Sequence, residues 1–268
     1  MLMVIDSLLN LIALNPKISK LGSRFADFIF PDYPKIYKVF AGPGRALRLK
    51  LNARTQTSFL FGAYERANVN FLLTRIFDKA IFWDIGANIG YFSCIMARCL
   101  TKGEVVCVEP LPENIRLLRE HMRINNLKNI IIIDKALSSS EKSASFLVAE
   151  NLSEGKIADN KEDLPEKKIQ IAVTTIDSLM KSGIPMPDIV KIDTEGEEGE
   201  ILKGARAVLQ NRPPSFLIEI HGPENAQICW DILSGYLYRI KFFNGVYLEE
   251  AEGPQDIADR HIWAELLK

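Results

Sequence analysis

The stretch Phe82-Trp-Asp-Ile-Gly-Ala-Asn-Ile-Gly-Tyr-Phe-Ser93 constrains the fold of this chain more than any other. An apolar run from Ala80 to Ile85, broken by Asp84, leads into Gly86 and Gly90, and helical spacing begins after them. That order predicts a strand, a tight glycine turn and a helix. In open α/β sheets such a turn, beyond the carboxyl end of its strand, is where a nucleotide-like cofactor sits. A second acidic residue, Glu109, ends the next apolar run, Glu104-Val-Val-Cys-Val-Glu109, where it is placed to hold ribose hydroxyls.

The alternation continues on both sides of this unit. The spacing predicts a helix over 65–77, then strand 80–85, helix 89–99, strand 104–109, helix 113–124 and strand 129–134. A polar, Lys/Glu-rich segment from Glu150 to Lys168 reads as an exposed loop. Strand 170–173, helix 176–181, strand 187–193, helix 198–209 and strand 215–221 follow, and the tail from Tyr236 reads as a closing hairpin and a last strand. Repeated βα units predict a parallel, doubly wound sheet. Ahead of it, Lys35–Phe40 and Ala46–Leu51 read as two strands around Gly42-Pro43-Gly44. Arg45, Arg48, Lys50 and Arg54 cluster there, either as a solvated strand face or as a contact for an anionic part of a substrate. Residues 1–62 form an N-terminal extension and 63–268 the main domain.

Charge distinguishes between the cofactors such a sheet can hold. A dinucleotide turn has the pattern Gly-x-Gly-x-x-Gly, because amides and a helix N-terminus must approach a pyrophosphate. Here the turn is Asp84-Ile-Gly86-Ala-Asn88-Ile-Gly90, with a carboxylate ahead of the first glycine. A carboxylate repels a pyrophosphate and attracts an ammonium. S-adenosylmethionine (SAM) carries an ammonium, a sulfonium and no phosphate, so SAM is favoured over NAD. The net charge of −1 gives no field for nucleic acid. Cys94, Cys99, Cys107 and Cys229 form no Cys-x-x-Cys pair, which points to a reducing, cytoplasmic setting. Met1–Leu14 is too short and too polar to span a bilayer, and reads as an amphipathic helix that packs on the domain or touches a membrane peripherally.

Charged residues also end the later strands. Lys191-Ile-Asp193 and Glu219-Ile-His221 each put two polar side chains on one strand face. Asp193, Glu219 and His221 are therefore expected at one rim of the sheet, where burying a charge needs a partner or a task. They are also legitimate ligand types for a divalent cation, a role the sequence leaves open beside that of a base. His121 and His261 sit in amphipathic contexts and read as surface or packing residues.

These motifs together resemble a family. Asp84-Ile-Gly-Ala-Asn-Ile-Gly-Tyr-Phe-Ser93, Val108-Glu-Pro-Leu-Pro-Glu-Asn114, Ala136-Leu-Ser138, Thr175-Ile-Asp-Ser-Leu179, Lys191-Ile-Asp-Thr-Glu-Gly-Glu197, Leu202-Lys-Gly-Ala205 and Ile218-Glu-Ile-His221 look like the ordered motifs of FkbM-family SAM-dependent methyltransferases. Gly62-Ala-Tyr-Glu65 resembles the family's lead-in segment. The resemblance implies an α/β fold with a class I methyltransferase (Rossmann-like) sheet in the order 3-2-1-4-5-7-6. It implies methylation of an oxygen, commonly a hydroxyl of a sugar, glycan or secondary metabolite. By position, Asp84, Gly86, Asn88 and Gly90 would hold the methionine end of SAM, Glu109 the ribose and Asp134 the adenine amino group. Glu195 and Gly196 match the family's Glu-Gly pair. On this reading His221 and Glu219 are candidate bases and Asp193 orients the base or the acceptor. An NAD-dependent oxidoreductase on the same sheet, and a SAM-binding protein without turnover, are the alternative readings.

Overall fold

The computed structural model describes residues 30–148, 155–157 and 167–266. An antiparallel hairpin, β1 (Lys35–Lys38) and β2 (Arg48–Leu51), is followed by helices α1 (Thr57–Phe61) and α2 (Arg66–Arg75). The alternating part runs β3 (Ile81–Ile85), α3 (Tyr91–Cys99), β4 (Glu104–Val108), α4 (Pro112–Ile124) and β5 (Ile130–Ile133). Four strands then leave the main sheet: β6 (Ala136–Leu137), β7 (Lys142–Val148), β8 (Gly155–Ile157) and β9 (Lys167–Thr174). The chain returns through α5 (Ile176–Lys181), β10 (Ile189–Ile192), α6 (Glu198–Lys203), α7 (Arg206–Asn211), β11 (Ser215–Glu219) and α8 (Pro223–Gly235). It closes with β12 (Tyr238–Asn244), β13 (Tyr247–Glu250) and β14 (His261–Leu266).

The main sheet has the order β13-β12-β14-β11-β10-β3-β4-β5. Strands β5, β4, β3, β10 and β11 are parallel, while β14 runs antiparallel to both β11 and β12. Counted from the β5 edge, this is the 3-2-1-4-5-7-6 order, with β13 added as a hairpin partner of β12. Between β3 and β10 the chain order reverses, so the carboxyl ends of these strands open a crevice there. Side chains alternate across the sheet. Phe82 packs on the face with Leu72, Ile95 and Leu217, and Trp83 on the face with Val190, Leu202 and Phe216. These central strands are apolar on both faces because helices cover both. Leu47, Leu49, Leu51 and Leu60 join the first of these clusters, so the described part of the N-terminal extension shares the core.

Three expectations change. Residues 170–173 belong not to the alternating sheet but to a separate one of order β6-β9-β7-β8, which also takes Gly155–Ile157, Lys167 and Lys168 out of the expected loop. The remainder of that loop, and the expected helix at Met1–Leu14, lie outside the described residues. The helix expected over 198–209 is two helices. A Cβ at Gly204 would lie 2.3 Å from the Ser138 carbonyl oxygen, and the Asp177 amide donates to the Gly204 carbonyl at 3.0 Å. Asp177 then caps α7 by accepting from the amides of Ala207 (2.9 Å) and Val208 (3.2 Å).

Candidate functional site

A cleft of about 930 Å³, including its open mouth, lies over the carboxyl ends of β3, β4 and β10. Its floor is the turn after β3. Gly86 has φ 76°, and a Cβ there would lie 1.8 Å from the Asp193 carbonyl oxygen, so the turn passes tightly against the end of β10. The Gly86 and Ala87 amides donate to the Val108 carbonyl at 3.0 and 3.1 Å.

Asp84 is buried beneath this turn. Its Oδ2 accepts from the Ser93 hydroxyl, whereas Oδ1 has no hydrogen-bond partner and lies 3.9 Å from Lys191 Nζ. Burial pushes the Asp84 carboxyl above its ordinary value, against the pull of Lys191 and Ser93. Glu109 accepts from the amides of Asn88 (2.8 Å) and Leu111 (2.9 Å) and still lines the cleft. Burial raises its carboxyl to about 7, although those two amides favour the charged form. An unpartnered carboxylate oxygen, a glycine cradle with no room for a side chain and a second carboxylate one strand away fit a ligand with an ammonium and a ribose.

The opposite wall is built from side chains. Lys191, only 4% exposed, donates to Asp193 Oδ2 at 3.0 Å and lies over the Phe92 ring. Burial alone would lower its ammonium, but Asp193, Glu65 and Asp84 outweigh burial and hold it above the usual range. His221 follows β11. Its Nδ1 lies 3.1 Å from Glu198 Oε1, and its Nε2 faces Glu195 (3.5 Å) and Glu219 Oε1 (4.0 Å). Glu198 is fully buried, and its Oε1 also accepts from the amides of Thr194 and Gly196, while its Oε2 bonds to Asn225. The Glu198 hydrogen bond raises His221 to about 9 despite partial burial. Ligand atoms of Asp193, Glu219 and His221 lie within 4.8 Å of one another.

The expected residues thus separate. Asp84, Gly86, Asn88, Glu109 and Asp193 line the cleft, and Gly90 caps α3 beside it. Glu219 and His221 stand at its rim with Asp193. Asp134 is exposed and does not line the cleft, where Lys135, Ala136 and Leu137 do. Arg45, Arg48, Lys50 and Arg54 do not line it either. Lys50 pairs with Glu120 of α4 at 3.1 Å, and Arg54 donates to the Phe30 carbonyl. His121 is a packing residue: its Nδ1 meets the Ile89 carbonyl and its Nε2 accepts the Lys50 amide, both at 2.8 Å.

His261 departs from the packing expectation, because its Nε2 lies 3.1 Å from Glu219 Oε2 and 3.2 Å from Glu65 Oε2. Glu198, Glu65, Tyr64 and Phe146 were likewise not singled out. The run Glu195-Gly-Glu-Glu198 carried a signal for Glu198, but nothing in it marks which carboxylate turns inward.

The sequence pattern of the methyltransferase FkbM domain matches residues 84–246, more than half of the chain. The chain belongs to the FkbM methyltransferase domain family. It is 33% identical over 160 residues to the hexuronic acid methyltransferase AglP of Haloferax volcanii, across 59% of this chain and 62% of that protein. It therefore spans less than two thirds of that relative's length. Among solved structures, the methyltransferase FkbM of Methylobacillus flagellatus KT aligns with a TM-score of 0.47 at 19% identity, covering 70% of this chain and 44% of that one. A SAM-dependent O-methyltransferase of Thermotoga maritima aligns with a TM-score of 0.42 at 13% identity, covering 75% and 65%. The FkbM match ends at Val246, so Glu65 and His261 lie on either side of it. Among the described residues no helix is long and apolar enough to cross a membrane.

Proposed function

We propose that this FkbM-family chain is a SAM-dependent methyltransferase that alkylates an oxygen, with a hydroxyl of a sugar, glycan or secondary metabolite as acceptor. The observation that carries the reading is the buried Asp84 oxygen that accepts no hydrogen bond beneath the Gly86 turn, in a cleft that also presents Glu109. Asp84, Gly86, Asn88 and Gly90 hold the methionine end of the cofactor and Glu109 its ribose. The adenine wall is Ala136, Leu137 and Phe146, with Asp134 outside it. When bound, SAM supplies a methyl group on an activated sulfonium leaving group.

The chain then has two tasks, to position the acceptor and to remove its proton. Glu198 already accepts two backbone amides, so it acts as acceptor toward His221 Nδ1–H. That choice of tautomer leaves the Nε2 lone pair of the neutral imidazole for the acceptor's proton. Glu198 is therefore the residue that orients the base, while Glu219 and Asp193 orient the acceptor hydroxyl. The described part of the extension, residues 30–62, serves this reading by packing. Cytoplasmic residence rests on the cysteine spacing of the sequence.

The relative's hexuronic acid makes acidic sugars the first acceptors to try. Calorimetry of the full chain with SAM and with NAD is the first test, followed by mass spectrometry of hexuronic acids and neutral hexoses for the gain of one methylene. Binding of SAM with a methylated sugar is the expected result. Binding of NAD instead would move the chain to the oxidoreductases, and SAM binding with no turnover on any acceptor would leave a binding protein.

A further inference from the structure

Two residues of the acceptor wall lie outside residues 84–246, over which the FkbM domain pattern matches, Glu65 at the end of the lead-in segment and His261 beyond the match. Glu65 immediately precedes α2, and His261 opens β14. His261 stands directly across the ladder from Glu219. Its Nε2 faces Glu219 Oε2 at 3.1 Å and Glu65 Oε2 at 3.2 Å, so one imidazole nitrogen lies between two carboxylates. Two carboxylates this close to one point repel each other unless a cation lies between them. Glu65 is mostly buried, accepts from Asn68 Nδ2 at 3.2 Å and is held at a left-handed φ of 40°. A non-glycine residue keeps that conformation only where its surroundings enforce it. Glu219 divides its oxygens, Oε2 toward His261 and Oε1 toward His221 Nε2 at 4.0 Å.

We propose that His261 is a positioning residue of the transfer site: by clasping Glu65 and Glu219 it turns the free oxygen of Glu219 toward the acceptor hydroxyl and ties the start of α2 to the closing strand. The acceptor role rests on the methyltransferase reading, whereas the clasp does not. The clasp also lets segments from both sides of the family stretch shape the acceptor wall. His261 bears the electrical mark of such a place. Burial alone would lower it, yet Glu219 and Glu65 raise it to about 9, while Glu65 falls to about 2 against its own burial.

The chain has three histidines, so nitrogen-15 NMR of the imidazoles can follow each one without any acceptor. In His261→Gln, Glu219 is no longer neutralised by His261 and acts on His221 alone. The His221 titration is expected to move up by roughly half a pH unit or more. In Glu65→Gln, which keeps the imidazole, the His261 titration is expected to fall. On a sugar that is turned over, His261→Gln is expected to raise the acceptor KM about tenfold, the loss of one hydrogen bond to a charged group, with SAM affinity unchanged. An unmoved His221 titration in a folded His261→Gln chain, or an unmoved His261 titration in Glu65→Gln, overturns the clasp. Unchanged acceptor KM with both titrations moved overturns the positioning role. Glu65, Glu219 and His261 could also ligate a cation. Binding of Mn²⁺ that His261→Gln abolishes would therefore replace the clasp with a metal site. Failure of the chain to bind SAM, with both titrations moved, removes the methyltransferase reading and leaves the clasp standing.

Discussion

At one end of the cleft, continuous chain from Asp84 to Glu109 supplies the glycine turn, the buried carboxylate and the amides that Glu109 holds. At the other end, Glu65, Lys191, Asp193, Glu198, Glu219, His221 and His261 come from four separate stretches of the chain and meet through side-chain pairs. Backbone builds the first end, which the proposed reading gives to the cofactor, and the second is the one it gives to the acceptor. Ion pairs build the second, where one charge can be exchanged for another without moving the turn. The cofactor end should therefore fail all at once when its backbone is crowded. The acceptor end should fail by degrees.

The largest effect is expected at Gly86. A Val side chain there meets the Asp193 carbonyl, since even a Cβ would lie 1.8 Å away, and the backbone must leave its φ of 76°. Gly86→Val should abolish SAM binding by calorimetry. A folded variant that binds SAM normally would show that the turn is only structural and would undo the comparison.

Next is His221→Ala, expected to slow methyl transfer by about 10²–10⁴-fold while SAM affinity holds, the range of a general base. Because Glu198 raises His221 to about 9, only the minority neutral form can take a proton at neutral pH. The rate of the unaltered chain should therefore climb with pH toward about 9, and His221→Ala should flatten that limb. A limb in the ordinary imidazole range would mean that Glu198 does not tune the base.

On the plateau above the pH limb, where His221 is neutral in both chains, Glu198→Gln should lower the rate about tenfold or more, as expected for one hydrogen bond to a charged group. It should also bring the pH limb down, because the main cause of the raised His221 is gone. An unmoved limb would mean that Glu198 does not orient His221.

Glu109→Ala should weaken SAM by about tenfold. Burial holds this carboxyl at about 7, and the ribose hydroxyls need its charged form. SAM affinity should therefore rise as the pH climbs through 7, and the variant should lose that dependence. Equal affinity on both sides of pH 7 in the unaltered chain would remove Glu109 from the ribose.

Much of the cofactor end was legible in the sequence because its parts are neighbours there. The Gly86–Gly90 spacing, Asp84 before it and Glu109 one strand on keep their meaning in any doubly wound sheet. Strand parity placed Lys191 beside Asp193, and Glu219 and His221 at one rim. Parity says nothing of what stands opposite, so His261 read as packing until β14 ran antiparallel beside β11 and set it across from Glu219. Asp134 shows the same limit from the other side. The chain turns aside after β5 to start the second sheet, and the cleft wall there falls to Ala136, Leu137 and Phe146. Ile169, Ile171 and Val173 alternate as a strand should, but that sheet rests on a two-residue strand, β6, and on pairing of β9 with β7, and no local pattern names a strand's partner.

The turn and its charge depend on residues a few positions apart, and the α/β class and the family on the order of such local motifs along the chain, so the amino-acid sequence carries all of them. Tertiary structure alone decided which carboxylate orients His221 and which histidine joins the acceptor wall. Those outcomes depend on which strands lie side by side, and on burial that makes a pair of charges act on each other rather than on water.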